Sequence, residues 1–253
     1  MTILETTYAT VRIADLPQCV HVELARPHKK NAIDAEMVAE LHDVCTELEV
    51  RPRTLVLSGS DGVFAAGADL AQMRERRSAD ALAGINSTLF HRILHLPMPV
   101  IAAVDGWALG GGAELAYAAD FRIAAHGARF GNPEVGLGIA AAAGASWRLR
   151  ELVGEPMAKH ILLAGKVLDA DDALAAGLVT EVVSADELLD SAFRLADQIA
   201  KGAPNAVRLT KALMHAPQAA HPVIDNIAQA VLFESDEKYA RMTAFLDKRG
   251  HAK

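Results

Sequence analysis

The chain has 253 residues, of which 51% are hydrophobic and 23% charged, with a formal net charge of −7. This suits one large core with a small appended domain and excludes a disordered chain, while the acidic balance and the absence of a Lys/Arg-rich block argue against a nucleic-acid partner. Cys19 and Cys45 are too few for a disulfide framework or a cysteine-based zinc site, and with neither a signal-like leader nor an apolar run of bilayer length a cytoplasmic protein without membrane contact is expected.

Two β-like runs, Thr10 to Ala14 and Cys19 to Leu24, flank a turn at Asp15-Leu16-Pro17 and predict a hairpin. A basic loop, Arg26 to Asn31, follows. Asp34 then caps a helix whose apolar positions Met37, Val38, Leu41, Val44, Cys45 and Leu48 recur at helical spacing. Thr54 to Leu57 reads as a buried strand. Asp69, with Gln72 three residues on, has the pattern of a capping box and puts the Ala68 N–H at a helix entrance.

A helix is predicted over Asp80 to His95 and a buried strand over Val100 to Val104. Phe121 to Ala125 reads as another strand and Phe130 to Gly138 as a loop. Ala142 to Leu152, Met157 to Ala164 and Asp169 to Ala175 read as helices, and Leu178 to Val183 as a strand. From Asp186 the pattern is helical throughout: Asp186 to Lys201, Pro204 to His215, Pro222 to Ser235 and Glu237 to Lys248. The alternation of strands and helices predicts an α/β core over residues 1–185, and the change of texture a helical domain over 186–253.

Several common site motifs fail on inspection. His91 and His95 are four apart on a helix, but no carboxylate completes a metal site, so they read as surface histidines. Gly165-Lys166 lacks the rest of a phosphate loop, the glycines before Gly112 do not form a dinucleotide fingerprint, and Ser146 lacks the glycines of a nucleophile elbow. The run Arg74-Glu75-Arg76-Arg77 reads as a solvated helix face.

What stands out is the stretch VDGWALGGGAELAYAADFRIAAHGARFGNPE, from Val104 to Glu134. Gly110, Gly111 and Gly112 leave the backbone bare at a helix start, where main-chain N–H groups can face a ligand. Glu114 lies in the first turn of that helix, between Gly112-Ala113 and Leu115-Ala116, which offer it almost nothing polar. A carboxylate in such surroundings needs a partner or a function. Glu134 follows Pro133 and is the second acid of the stretch.

The motifs AAGADLAQM, IAAVDGWALGGGAELAYAADFRIA and ARFGNPEVGLG, in this order and spacing, resemble the enoyl-CoA hydratase (crotonase) family, and the likeness runs from RPHKKNAI to the AFLDKR near the end of the chain. The resemblance implies a crotonase-like spiral of ββα units with two packed sheets and a C-terminal helical trimerisation domain, assembled as a homotrimer or as a homohexamer made of two trimers. It implies an acyl-CoA substrate, with coenzyme A part of the thioester and no separate cofactor or metal. Its oxyanion hole falls on the backbone N–H groups of Ala68 and Gly111, and its two hydratase glutamates on Glu114, orienting water, and Glu134, supplying a proton. Both acids together favour hydration of a 2-enoyl-CoA over double-bond isomerisation, the alternative within the family; a non-catalytic acyl-CoA binding protein is the alternative outside it. Coenzyme A contacts are implied at Lys29, Lys30 and Ala66, beside Ala68, Asp69 and Gly111, and at a basic residue of the last helix, Lys248.

The chain departs from the family pattern at Ile139 to Ala145, where a proline and several glycines are common, at Trp147, where glutamine is frequent, and at Ala240-Arg241. The first two border the acyl site in the family, so the acyl group accepted is expected to depend on them.

Overall fold

The computed structural model describes residues 6–250, with side chains through residue 248. Two compact units result, Met1–Asp197 and Gln198–Lys253.

In the first unit, β1 (Val11–Asp15) and β2 (Val20–Leu24) form the predicted antiparallel hairpin. β2 then pairs in parallel with β3 (Leu55–Gly59), β3 with β4 (Val100–Val104), β4 with β6 (Phe121–Ala125), and β6 with β9 (Glu181–Val183), giving a six-stranded sheet in the order β1-β2-β3-β4-β6-β9. β5 (Trp107–Leu109), β7 (Arg129–Gly131) and β8 (Leu168–Asp169) form a second, three-stranded sheet. The chain therefore repeats one unit: β4 in the large sheet, β5 in the small one and then α5 (Gly111–Ala118), followed by β6, β7 and α6 (Ala145–Ala164). β4 is buried along its whole length, which explains its unbroken apolar sequence.

α1 (Ala35–Val50) begins where expected: Asp34 accepts a hydrogen bond from the Met37 N–H at 2.9 Å, and the predicted apolar positions are all buried. Asp69 caps α2 (Leu70–Glu75), accepting from the N–H groups of Ala71 and Gln72 at 3.1 and 3.3 Å. The second half of the capping box is absent, because the Gln72 side chain instead accepts from the Ala35 N–H at 3.0 Å and the Asp69 N–H donates to Ile33 at 2.9 Å. Gln72 thus links the starts of α1 and α2.

The helix predicted over 80–95 is two helices, α3 (Ser78–Ala83) and α4 (Ile85–Leu94). Gly84, at φ 64°, turns the chain between them. The loop predicted over 130–138 contains β7 and a 3-10 turn, Glu134–Leu137. α6 opens at Ala145, later than Ala142, and is interrupted at Gly154, as its two predicted halves imply. α7 (Ala170–Ala175) is capped by Asp169.

α8 (Leu188–Ala200) buries Leu188, Ala192 and Ala196, and its Ser191 donates to Glu181 of β9 at 2.6 Å. These contacts put the division of the chain one helix beyond the compositional change at residue 186. The second unit carries α9 (Pro204–Met214), α10 (Val223–Phe233) and α11 (Asp236–Gly250). Among the described residues no helix is long and apolar enough to cross a membrane, and no cluster of potential metal ligands occurs.

Candidate active site

Three chain segments meet around the glycine run. The first, residues 64–69, is pinned by its backbone: Phe64 N–H donates to Asp105 at 2.7 Å, Ala65 N–H to Trp107 at 3.0 Å and Ala66 N–H to Lys30 at 3.0 Å. Ile33 bridges it from one side, donating to the Gly67 carbonyl at 2.8 Å and accepting from Asp69 N–H at 2.9 Å. Bonding to the residues on either side of Ala68 leaves the N–H of Ala68 itself directed away from Ile33. The Ala68 nitrogen lies beside Gly111, where a Cβ would be 3.4 Å from it.

Asn31 and Arg26 hold this loop in place. Asn31, fully buried, donates to the carbonyls of Ser60 and Val63 at 3.0 and 2.7 Å and accepts from Ser60 Oγ at 3.0 Å. Arg26 pairs with Asp34 at 2.9 Å and Asp69 at 3.5 Å, tying the caps of α1 and α2 together.

The second segment is the start of α5, a helix buried on every side. Gly110 N–H donates to Gly131 at 2.8 Å, and Glu114 N–H closes the first turn onto the Gly110 carbonyl at 2.9 Å. Gly111 is the first helical residue, so its N–H lies among the donors that a helix leaves unpaired at its start. Gly112 packs so tightly that a Cβ would come within 2.2 Å of the Ala65 carbonyl oxygen, which explains the glycine.

The Glu114 carboxyl is buried, and its Oε1 accepts from the backbone N–H groups of Ala143 and Ala145 at 2.8 and 3.1 Å. Burial, opposed by these bonds and assisted by the charge of Glu134, pushes its pKa up to about 7.

The third segment brings Glu134 into the same place. Its Oε1 would meet a Cβ on Gly110 at 2.8 Å, and Asn132 Nδ2 donates to that oxygen at 3.5 Å. Gly110 has φ 49° and ψ −123°, a conformation that also favours glycine. Glu134 is buried, which raises its pKa, and its Oε2 is a buried oxygen without a hydrogen-bond partner. Beside Glu114 a cavity of about 370 Å³ opens, with Phe90, His91 and Leu94 of α4, Ala118 of α5 and Trp147 of α6 in its wall.

Ala68, Gly111, Glu114 and Glu134 thus converge, whereas the Asp69 carboxylate next to them in sequence turns to the start of α2 and to Arg26. Lys29 and Lys30 are exposed, at the end of the 3-10 turn Pro27–Lys29, and the Lys30 carbonyl joins them to Ala66. Lys248 is an exposed residue of α11 in the second unit. His91 and His95 are exposed, with ring centroids 4.1 Å apart; His91 also reaches the cavity. Sequence reading passed over Asn132, Asn31 and the alanine backbone around Glu114; of these only Asn31, at φ 54°, carries a local signal, since asparagine tolerates that conformation.

Residues 18–252 match the family profile described as enoyl-CoA hydratase/isomerase. The chain belongs to the enoyl-CoA hydratase/isomerase family. It is 40% identical over 235 residues to a crotonyl-CoA hydratase of Syntrophomonas wolfei, covering 88% of this chain and 90% of that one. It is 39% identical over 243 residues to a short-chain-enoyl-CoA hydratase of Clostridium acetobutylicum, covering 90% and 91%. The crystal structure of an enoyl-CoA hydratase from Bacillus anthracis superposes with a TM-score of 0.90 at 30% identity, covering 95% of this chain and 97% of that one. The chain has the crotonase fold of these hydratases, as the resemblance implied.

Proposed function

We infer that this enoyl-CoA hydratase/isomerase family member hydrates 2-enoyl-CoA thioesters to 3-hydroxyacyl-CoA by syn addition of water. The observation that carries this reading is the pair of buried carboxyls, Glu114 and Glu134, brought beside the facing backbones of Ala68 and Gly111. The thioester oxygen accepts from the N–H groups of Ala68 and Gly111, which stabilise the negative charge that develops there as water adds. Ionised Glu114, fixed by Ala143 and Ala145, orients the water for attack at C3 and takes up its proton. Glu134 gives a proton to C2, and the proton taken from water passes from Glu114 back to Glu134 before the next turnover, so the sum is one water added across the double bond by a carboxyl pair that shares one proton. A carboxyl with a pKa of about 7 is well matched to exchanging protons near neutral pH.

In this reading coenzyme A enters only as part of the substrate, and no resident cofactor or metal is needed. Lys29 and Lys30, with the backbone at Ala66 and the Asp69 turn, border its nucleotide portion, and Lys248 supplies a further contact across a subunit boundary. The acyl group beyond C3 enters the cavity between α4 and α6. The assembly is a homotrimer or a homohexamer of two trimers, and the protein is cytoplasmic. An exposed apolar face on α10, made by Val223, Ile227 and Val231 at a spacing of four, supports assembly through the helical unit.

Loss of the conjugated enoyl-thioester absorbance on adding crotonyl-CoA, with 3-hydroxybutyryl-CoA identified as product, tests the reaction. No hydration of short, long or branched enoyl-CoAs, with conversion of a 3-enoyl-CoA to the 2-enoyl isomer, would replace it with isomerisation. Thioester binding without turnover would replace it with a binding protein.

A further inference from the structure

Tyr117 lies on α5, three residues after Glu114, and is almost completely enclosed. Its Oη donates to Asn132 Oδ1 at 3.1 Å, and Asn132, also buried, donates through Nδ2 to Glu134 Oε1 at 3.5 Å. An amide has one acceptor end and one donor end, so the phenol at one end decides which end Glu134 meets. The tyrosine pKa is pushed far up by burial and by the nearby Glu114 and Glu134, so the phenol keeps its proton. While it donates to Oδ1, Nδ2 stays turned to Glu134. Oε1 of Glu134 is then confined between Gly110 and Asn132, and Oε2 is the oxygen left without a partner.

We propose that Tyr117 is a positioning residue for Glu134: its phenol locks the Asn132 amide, which holds Oε1 and leaves Oε2 as the oxygen that exchanges a proton with the substrate. The proposal rests on the hydratase reading above. Atom by atom, Oε2–H gives its proton to C2 as the C2–C3 π bond breaks, water oxygen bonds to C3, and the proton that water loses passes to Glu114. Tyr117 and Asn132 keep their own protons throughout. Without the phenol donor the amide can turn over, present Oδ1 to Glu134 and favour a proton on the wrong carboxyl oxygen.

Tyr117→Phe keeps the ring and removes only the donor. It is expected to lower kcat for crotonyl-CoA hydration about 10-fold with KM nearly unchanged, as for partners that orient a reacting group. Asn132→Leu should do at least the same, and the double variant should be no slower than Asn132→Leu alone, because both act through one path. Independently of turnover, the titration of Glu134 can be followed by 13C NMR of carboxyl-labelled glutamate, with Glu134→Gln identifying the signal. Its midpoint is expected to rise in Tyr117→Phe, since a steady donor to the carboxylate has been lost.

A shifted midpoint in an enzyme that hydrates no enoyl-CoA would sustain the positioning of Glu134 and remove only the reaction. An unmoved midpoint with wild-type kcat, a change confined to melting temperature, or additive losses in the double variant would overturn the proposal.

Discussion

The carboxyl of Glu114 is anchored by the backbone of Ala143, 2.8 Å away and 29 residues further along the chain. The bond crosses from the buried helix α5 to the segment that opens α6, so the alanine stretch before α6 supports the base of the proposed reaction. It also means that the charge of Glu114 is held where little water can solvate it.

The consequence for stability has a definite sign. The folded pKa of Glu114 is about 7, against 4.5 for an unperturbed glutamate. Between these values the folded protein holds a proton that the unfolded chain has released, so stability falls as pH rises through this window and the penalty is complete above it. Glu114→Gln keeps an acceptor for Ala143 and Ala145 and removes the buried charge. Calorimetry at about pH 8 should find the variant with the higher Tm, the gap closing towards about pH 4, where wild-type Glu114 is protonated in both states. A variant less stable than wild type at about pH 8 contradicts the buried charge. In the wild type, kcat/KM should decline as pH falls through about 7, when Glu114 takes up its proton.

Adjacent glycines should respond differently to one methyl group. A Cβ at Gly111 would be 3.4 Å from the Ala68 nitrogen and 3.5 Å from Asn86 Nδ2, both ordinary contacts. Gly111→Ala should therefore fold with a Tm close to wild type while losing activity by about 10²-fold, because the methyl fills the gap between the two donors. A Cβ at Gly112 would be 2.2 Å from the Ala65 oxygen, whose backbone is fixed by bonds to Trp107 and Leu109. Gly112→Ala should lose folding itself, read as a large drop in Tm or as insoluble protein. Equal stability of the two variants would count against the packing described.

Trp147 bears on the acyl group. It stands in the cavity wall and is 41% exposed, so its truncation should cost little stability. Trp147→Ala is expected to raise kcat/KM for a longer straight-chain 2-enoyl-CoA relative to crotonyl-CoA by about 10-fold, a shift within the range that one methylene in a hydrophobic pocket provides. A ratio unchanged across a chain-length series would place the acyl group elsewhere.

The sequence was most informative where chemistry is local. Asp34 and Asp69 cap the helices they were expected to cap, and β4 is the buried strand its unbroken apolar run implies. The predicted helix over 80–95 failed at Gly84, since the apolar spacing continues across a residue whose φ of 64° no helix accommodates. β7 and β8 were hidden for another reason: they are three and two residues long and exist through pairing with each other and with β5, contacts that no short window contains. At the site, the acids and the glycine run stand out because an acid in an apolar stretch and a bare backbone are rare. The groups that hold Glu114 are N–H groups of alanines, which any sequence could supply, and the Tyr117–Asn132 link joins two ordinary polar residues 15 apart. Neither has a signature in residue type.

The central claim, that two buried carboxyls divide the addition of water between C3 and C2, is tested most directly by the hydration rate of crotonyl-CoA in Glu114→Gln and in Glu134→Gln, measured alongside thioester binding. Each variant should lose at least about 10²-fold in kcat while still binding the thioester, as expected for removal of a general acid or base. Wild-type hydration by either variant would contradict the account.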